Sequence, residues 1–205
     1  FPVPLGEAAS FDLDLIERTA AVAAAESRAA GVHWTFAPML DIARDPRWGR
    51  IIEGAGEDTY YGSLVGAARV RGFQGSDYCA NNRVMATSKH WVGYGAAQAG
   101  RDYNTTDLSE RALRETYFPP FKAAIDAGVG SFMTSFNDID GVPATANPFV
   151  LKNVLRDEWK FDGLVVSDYT AVMELMFHGL ARDEADAAQY ALNAGTDMEM
   201  VSRFY

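Results

Sequence analysis

Short apolar runs alternate along this chain with helical stretches, and no two runs are joined by a tight hairpin turn. The runs are His33-Trp34-Thr35-Phe36-Ala37-Pro38, Val84-Met85-Ala86-Thr87-Ser88, Ser131-Phe132-Met133-Thr134-Ser135-Phe136, Gly163-Leu164-Val165-Val166-Ser167 and a last one at 197–200. Helical patterning fills the gaps. One helix is expected from Ser10, as its cap, through an Ala-rich stretch to Gly31, and a second over 58–73. A third starts at Asp107, in capping-box spacing with Glu110, and reaches about Ala127 with an interruption at Pro119-Pro120. Asn147-Pro148 opens a helix over 148–159, and shorter ones are expected near 171–178 and 183–194. Strands that alternate with helices pair in parallel as βα units, so the expected class is α/β. Five units do not close an eight-stranded barrel. The chain is then either an open doubly wound sheet or a partial (β/α)8 TIM-like barrel with about five to six of eight units. Long loops at 40–56, 91–106 and 137–147 all follow strands, where barrels place their function, and this favours the barrel. No internal boundary or repeat divides residues 1–205, which read as a single partial barrel domain.

Charge and cysteine content narrow the partners. A formal net charge of -10, with no basic cluster to offset it, argues against nucleic acid. Most arginines sit beside acids, as in Arg44-Asp45 and Arg156-Asp157-Glu158. Cys79 is the only cysteine, which excludes an intramolecular disulfide and a thiolate zinc site. No stretch approaches the length of a membrane span. No metal spacing, dinucleotide fingerprint, phosphate loop or Gly-x-Ser-x-Gly elbow is present, so no metal and no cofactor are expected. The start, Phe1-Pro2-Val3, is neither a signal peptide nor an initiator Met, and the chain reads as a piece of a longer protein.

Polar side chains at strand ends are the candidate chemistry. The run at 163–167 delivers Asp168, which suits a nucleophile, a general base or a metal ligand; the bland alternative is a cap for the next helix. The run at 84–88 ends in Lys89-His90. Neighbours on an extended chain point to opposite sides, so both serve one site only where the strand ends and the backbone turns. Asp45-Pro46-Arg47-Trp48-Gly49-Arg50 lies in the first long loop, near Glu53, Glu57 and Asp58. An Arg held by acids is a rigid donor fork for oxygen-rich ligands, although one of the two is expected to be a plain salt bridge. Trp48 is either a platform for a sugar face or an anchor for the loop.

Together these residues resemble glycoside hydrolase family 3, in its bacterial periplasmic β-glucosidase branch. The resemblance runs through FPVPLGEAASFD, APMLDIARDPRWGRIIEGAGEDTYYG, SKHWVGYGAAQAGRDYNTTDLSERALRETYFPPFKAAIDAG, NDIDGVPATANPFVLKNVLRDEWKFDG and LVVSDYTAV, in that order. It implies that Asp168 is the catalytic nucleophile and that Lys89, His90 and Arg50 bind hydroxyls of the sugar. Asp102 stands where the family often keeps an acid that orients the Lys-His pair, and Arg101 is a further sugar contact. Phe136 stands where many members carry a Tyr. The resemblance also implies two parts outside these residues: an Asp in an Asp-x-x-His-Gly type motif before FPVPLG, and an acid/base Glu in a second α/β domain.

The implied activity is that of a retaining, exo-acting β-glucosidase, periplasmic or secreted, with a β-glucoside or oligosaccharide as substrate; little turnover is expected of these residues alone. A β-xylosidase of the same family is the near alternative. The hexosaminidase branch follows its KHF with a loop carrying an acid/base His, and Tyr94 stands in that place here. From other classes, a Schiff-base aldolase would use Lys89, and a non-catalytic remnant would only bind sugar.

Overall fold

The computed structural model describes all of residues 1–205. Two N-terminal helices come first, α1 (Pro4–Ala8) and α2 (Leu13–Ala29). Asp12, not Ser10, caps α2: its Oδ1 accepts from the Leu15 amide at 2.9 Å, while the Ser10 hydroxyl donates back to Glu7 O. Ile16, Ala20 and Ala24, each four apart, form the buried stripe of α2. The stripe packs on α3 (Thr59–Gln74), which Asp58 caps through the Tyr61 amide. The two helices approach so closely that a Cβ on Gly72 would collide with Glu17 O and Ala20 Cβ.

The strands follow the predicted alternation with shifted limits. The segment expected as a strand at 33–38 joins the sheet only through bridges, Trp34 to Met85 and Met39 to Lys89. Strand β1 is Thr87–Trp91, so Lys89 and His90 lie inside it rather than past its end. Helix α4 (Glu110–Ala112) is capped by Ser109, not Asp107, and runs into a π-helical turn, Leu113–Tyr117. Pro119 and Pro120 then start α5 (Pro119–Asp126). Strand β2 is Ser131–Thr134, and a small hairpin that the sequence reading omits, β3 (Asp138–Ile139) with β4 (Val142–Pro143), fills the next loop. A π-helical segment, Phe149–Glu158, leads to β5 (Leu164–Tyr169), which contains Asp168. Helices α6 (Ala171–Phe177) and α7 (Glu184–Ala194) and strand β6 (Met198–Met200) complete the chain.

The main sheet is parallel throughout, in the order β1-β2-β5-β6. With its helices it is the α/β wall of a partial (β/α)8 barrel. Trp91, fully buried, roots β1 in the core: its ring centroid lies 5.0 Å from Phe118, 5.1 Å from Phe121 and 5.6 Å from Phe132. Burial of such large rings is the main force that fixes where β1 sits. No helix is long and apolar enough to cross a membrane.

Candidate active site

The site stands at the C-terminal ends of β1 and β5, under the loop that follows Met39. Asp168 does not cap a helix. Its Oδ1 accepts from the Tyr169 amide, and α6 begins after Thr170 with no side-chain cap at all. The other oxygen, Oδ2, is buried without a hydrogen-bond partner, 3.4 Å from His90 Nε2. A carboxylate oxygen left in that state holds unused hydrogen-bonding capacity and costs stability, which folding alone gives no reason to keep.

Lys89 and His90 meet the same cluster although they are adjacent on a strand; the peptide between them is cis. Lys89 Nζ lies 3.5 Å from Glu53 Oε2. Arg50 Nε and Nη2 donate to the two oxygens of Glu53 at 2.7 and 3.2 Å, and Nη2 also lies 3.0 Å from His90 Nε2. Arg50 and Glu53 are three apart on one short 3₁₀ turn, Gly49–Glu53, which puts both side chains on one side. Burial acts to raise the Glu53 carboxyl, but the bond and charge of Arg50, with Lys89 behind it, outweigh that and hold it below the usual carboxylate range. Two cationic donors, Arg50 and Lys89, and the His90 ring thus converge beside one free carboxylate oxygen.

The two arginines of the loop divide as expected. Arg47 is 69% exposed and pairs with Asp45 at 2.6 Å, whereas Arg50 is 24% exposed and faces the site. Trp48 is fully buried and so anchors the loop instead of offering a platform. Its Nε1 donates to Asp102 Oδ1 at 2.9 Å. Asp102 therefore holds Trp48 and makes no hydrogen bond or ion pair with Lys89 or His90. Arg101 is exposed and makes no side-chain hydrogen bond within the cluster. Phe136 is buried against Tyr94 and Tyr103, with ring centroids 5.7 and 4.5 Å away. Tyr94 lies under the site, edge-on to His90 at 5.1 Å, with the Arg50 guanidinium 5.4 Å from its ring centre. Burial first, then the Asp102 carboxylate, pushes the Tyr94 phenol well up, so it stays neutral.

Two groups escape the sequence reading. Asp41, enclosed between Leu40 and Ile42, accepts from the His90 amide at 3.1 Å and meets His90 Nδ1 at 2.7 Å. A lone carboxylate inside an apolar run is the available signal, since an unpaired acid is almost never buried. Glu174 on α6 is raised above the usual range by burial and, after the opposing Thr170 bond, by the Asp168 charge.

An α/β barrel wall that converges cationic donors on a free strand-end carboxylate defines a class of hydrolytic site for hydroxyl-rich ligands. Residues 1–205 match the glycosyl hydrolase family 3 N terminal domain, and the chain belongs to that family. It is 47% identical over 205 residues to the periplasmic beta-glucosidase of Salmonella typhimurium, covering all of this chain and 27% of that protein. It is 43% identical to a beta-xylosidase of Formosa agariphila, covering 98% of this chain and 28% of that protein. The beta-glucosidase of Listeria innocua, solved in complex with glucose, superposes with a TM-score of 0.98 at 46% identity, covering all of this chain and 29% of that one. The chain therefore spans between a quarter and a third of the length of these relatives.

Proposed function

We propose that these residues form the nucleophile-bearing part of a longer, retaining, exo-acting β-glucosidase. The observation that carries this is Asp168 Oδ2, buried and unpartnered beside His90 and the Arg50–Glu53–Lys89 array. In this reading the Asp168 carboxylate attacks the anomeric carbon of a terminal glucosyl unit. The glycosidic C–O bond breaks as the new C–O bond forms, and the leaving oxygen takes a proton from an acid. That acid is a carboxyl roughly 5–5.5 Å from Asp168 across the scissile bond, contributed from outside these residues. Water, deprotonated by the same group, then cleaves the glycosyl–Asp168 ester. Arg50, Lys89 and His90 hold sugar hydroxyls and so fix the anomeric carbon in front of Asp168. Phe136 packs under the sugar through Tyr94 and Tyr103, and Arg101 and Asp102 border the entrance. A periplasmic or secreted location accords with the name of the Salmonella typhimurium relative.

The test is to trap the longer protein with an activated 2-fluoro glucoside and map the labelled peptide. The label is expected on Asp168; a label on any other residue overturns the assignment. The 205 residues alone are expected to turn over an aryl glucoside little or not at all. The Formosa agariphila relative favours a second reading, β-xylosidase, and kcat/KM on matched aryl glucosides and xylosides separates the two. Family membership leaves the Schiff-base reading of Lys89 without support.

A further inference from the structure

The side chain of Asp41 is 0% exposed, against 12% for Asp168. Burying a carboxylate is costly unless hydrogen bonds repay it. Both bonds that Asp41 makes go to one residue, from the amide and Nδ1 of His90 to Oδ2, while Oδ1 has no partner. An enclosed acid whose bonds both go to one histidine, to its backbone amide and its ring, fixes where that ring sits and which nitrogen faces it.

Arg50 decides the other side of the ring. A guanidinium only donates, and its Nη2 lies 3.0 Å from His90 Nε2. Nε2 must therefore accept, which puts the ring proton on Nδ1, where it donates to Asp41 Oδ2. The Asp168 geometry agrees. Its Oδ2 lies 3.4 Å from Nε2 without hydrogen-bond geometry, so Asp168 does not compete with Arg50 for that nitrogen.

We infer that Asp41 is a positioning residue that locks His90 in its Nδ1–H form, so that Nε2 meets a ligand as an acceptor beside the donors Arg50 and Lys89. The ligand class rests on the glycosidase reading above; the lock does not. Such a corner fits a hydroxyl, which donates its proton to Nε2 while its oxygen accepts from Arg50 or Lys89. A fluorine or carbonyl in the same place leaves Nε2 unpaired. The lock also keeps an N–H away from the oxygen of Asp168 that is to attack.

The chain has three histidines, His33, His90 and His178, so a long-range ¹H–¹⁵N spectrum resolves each ring, with His90→Gln assigning the signal. His90 is expected to show a protonated Nδ1, its proton slow to exchange, and an unprotonated Nε2. A protonated Nε2 in the unaltered chain overturns the inference without any variant. Asp41→Leu, which removes the acceptor, is expected to bring in a substantial Nε2–H population. Asp41→Asn, which keeps an acceptor oxygen, is expected to retain the Nδ1–H form. An unchanged tautomer in a folded Asp41→Leu chain shows that Arg50 suffices and overturns the role of Asp41. In the longer protein, changing the contacted hydroxyl to fluorine is expected to cost as much inhibitor affinity as changing it to hydrogen. Affinity regained with fluorine contradicts the acceptor assignment. The spectrum needs neither ligand nor turnover, so its failure is separate from a failure of the Asp168 labelling.

Discussion

The strands that carry the site end very differently from how they begin. At the start of β1 and β2, Trp34 Nε1 donates to Thr87 Oγ1 at 2.7 Å and to Ser131 Oγ at 2.9 Å. The two hydroxyls lie 2.8 Å apart, and Ser131 Oγ also reaches Ala86 O. Each of these side-chain polar atoms has a partner inside the protein. At the far ends of the same sheet, Asp168 Oδ2, Asp41 Oδ1, Tyr94 Oη and Asn137 Oδ1 are buried with none; Ser88 Oγ, within β1, is the one comparable atom outside this group. The first end is satisfied for folding. The second holds capacity in reserve, which is what a ligand site requires and a stable core avoids.

Substitutions at the two ends separate these roles. The largest effect is expected from Asp168→Asn in the longer protein: kcat falls on the order of 10⁴-fold or more, as for other catalytic nucleophiles. Its thermal midpoint stays near that of the unaltered protein, because Oδ2 supports no folding contact; a large drop would show that Asp168 is structural. Ser131→Ala, at the closed end, is expected to do the reverse. It strips partners from Trp34 and Thr87 and costs ~1–3 kcal/mol in denaturant unfolding, with ligand affinity unchanged. A smaller, pH-dependent effect is expected from Glu53→Gln. Glu53 titrates below its unfolded value of about 4.3, so the stability it contributes is present above that value and is lost as pH falls through the lower, folded value. Gln is therefore less stable than Glu at neutral pH, and the gap closes in acid. A gap that does not narrow as the pH falls would mean that packing, not charge, ties Glu53 to Arg50.

What could be read from the sequence follows the range of each signal. Alternation of apolar runs and helices is local, and it places every strand of the main sheet, though β1 starts three residues later than its apolar run. The hairpin β3–β4 escaped because two residues per strand are too few to alternate. The π-helical turns at 113–117 and 149–158 insert width without changing composition. Lys89, His90, Arg50 and Asp168 stood out because each sits in a compact motif. Asp41 did not, since its partner His90 is 49 positions away and its one local signal is its place inside an apolar run. Asp102 carried the right charge, but Trp48, brought near only by folding, holds it.

Strand order in the main sheet follows chain order without rethreading, β1-β2-β5-β6. Each βα unit touches chiefly the one before it. Inheritance can therefore act on the units as cassettes: Arg50, Lys89 and His90 arrive with the early units and the Asp168 carboxylate with a later one. Recombination at a boundary such as 137–147 would exchange one half of the site and leave the other intact.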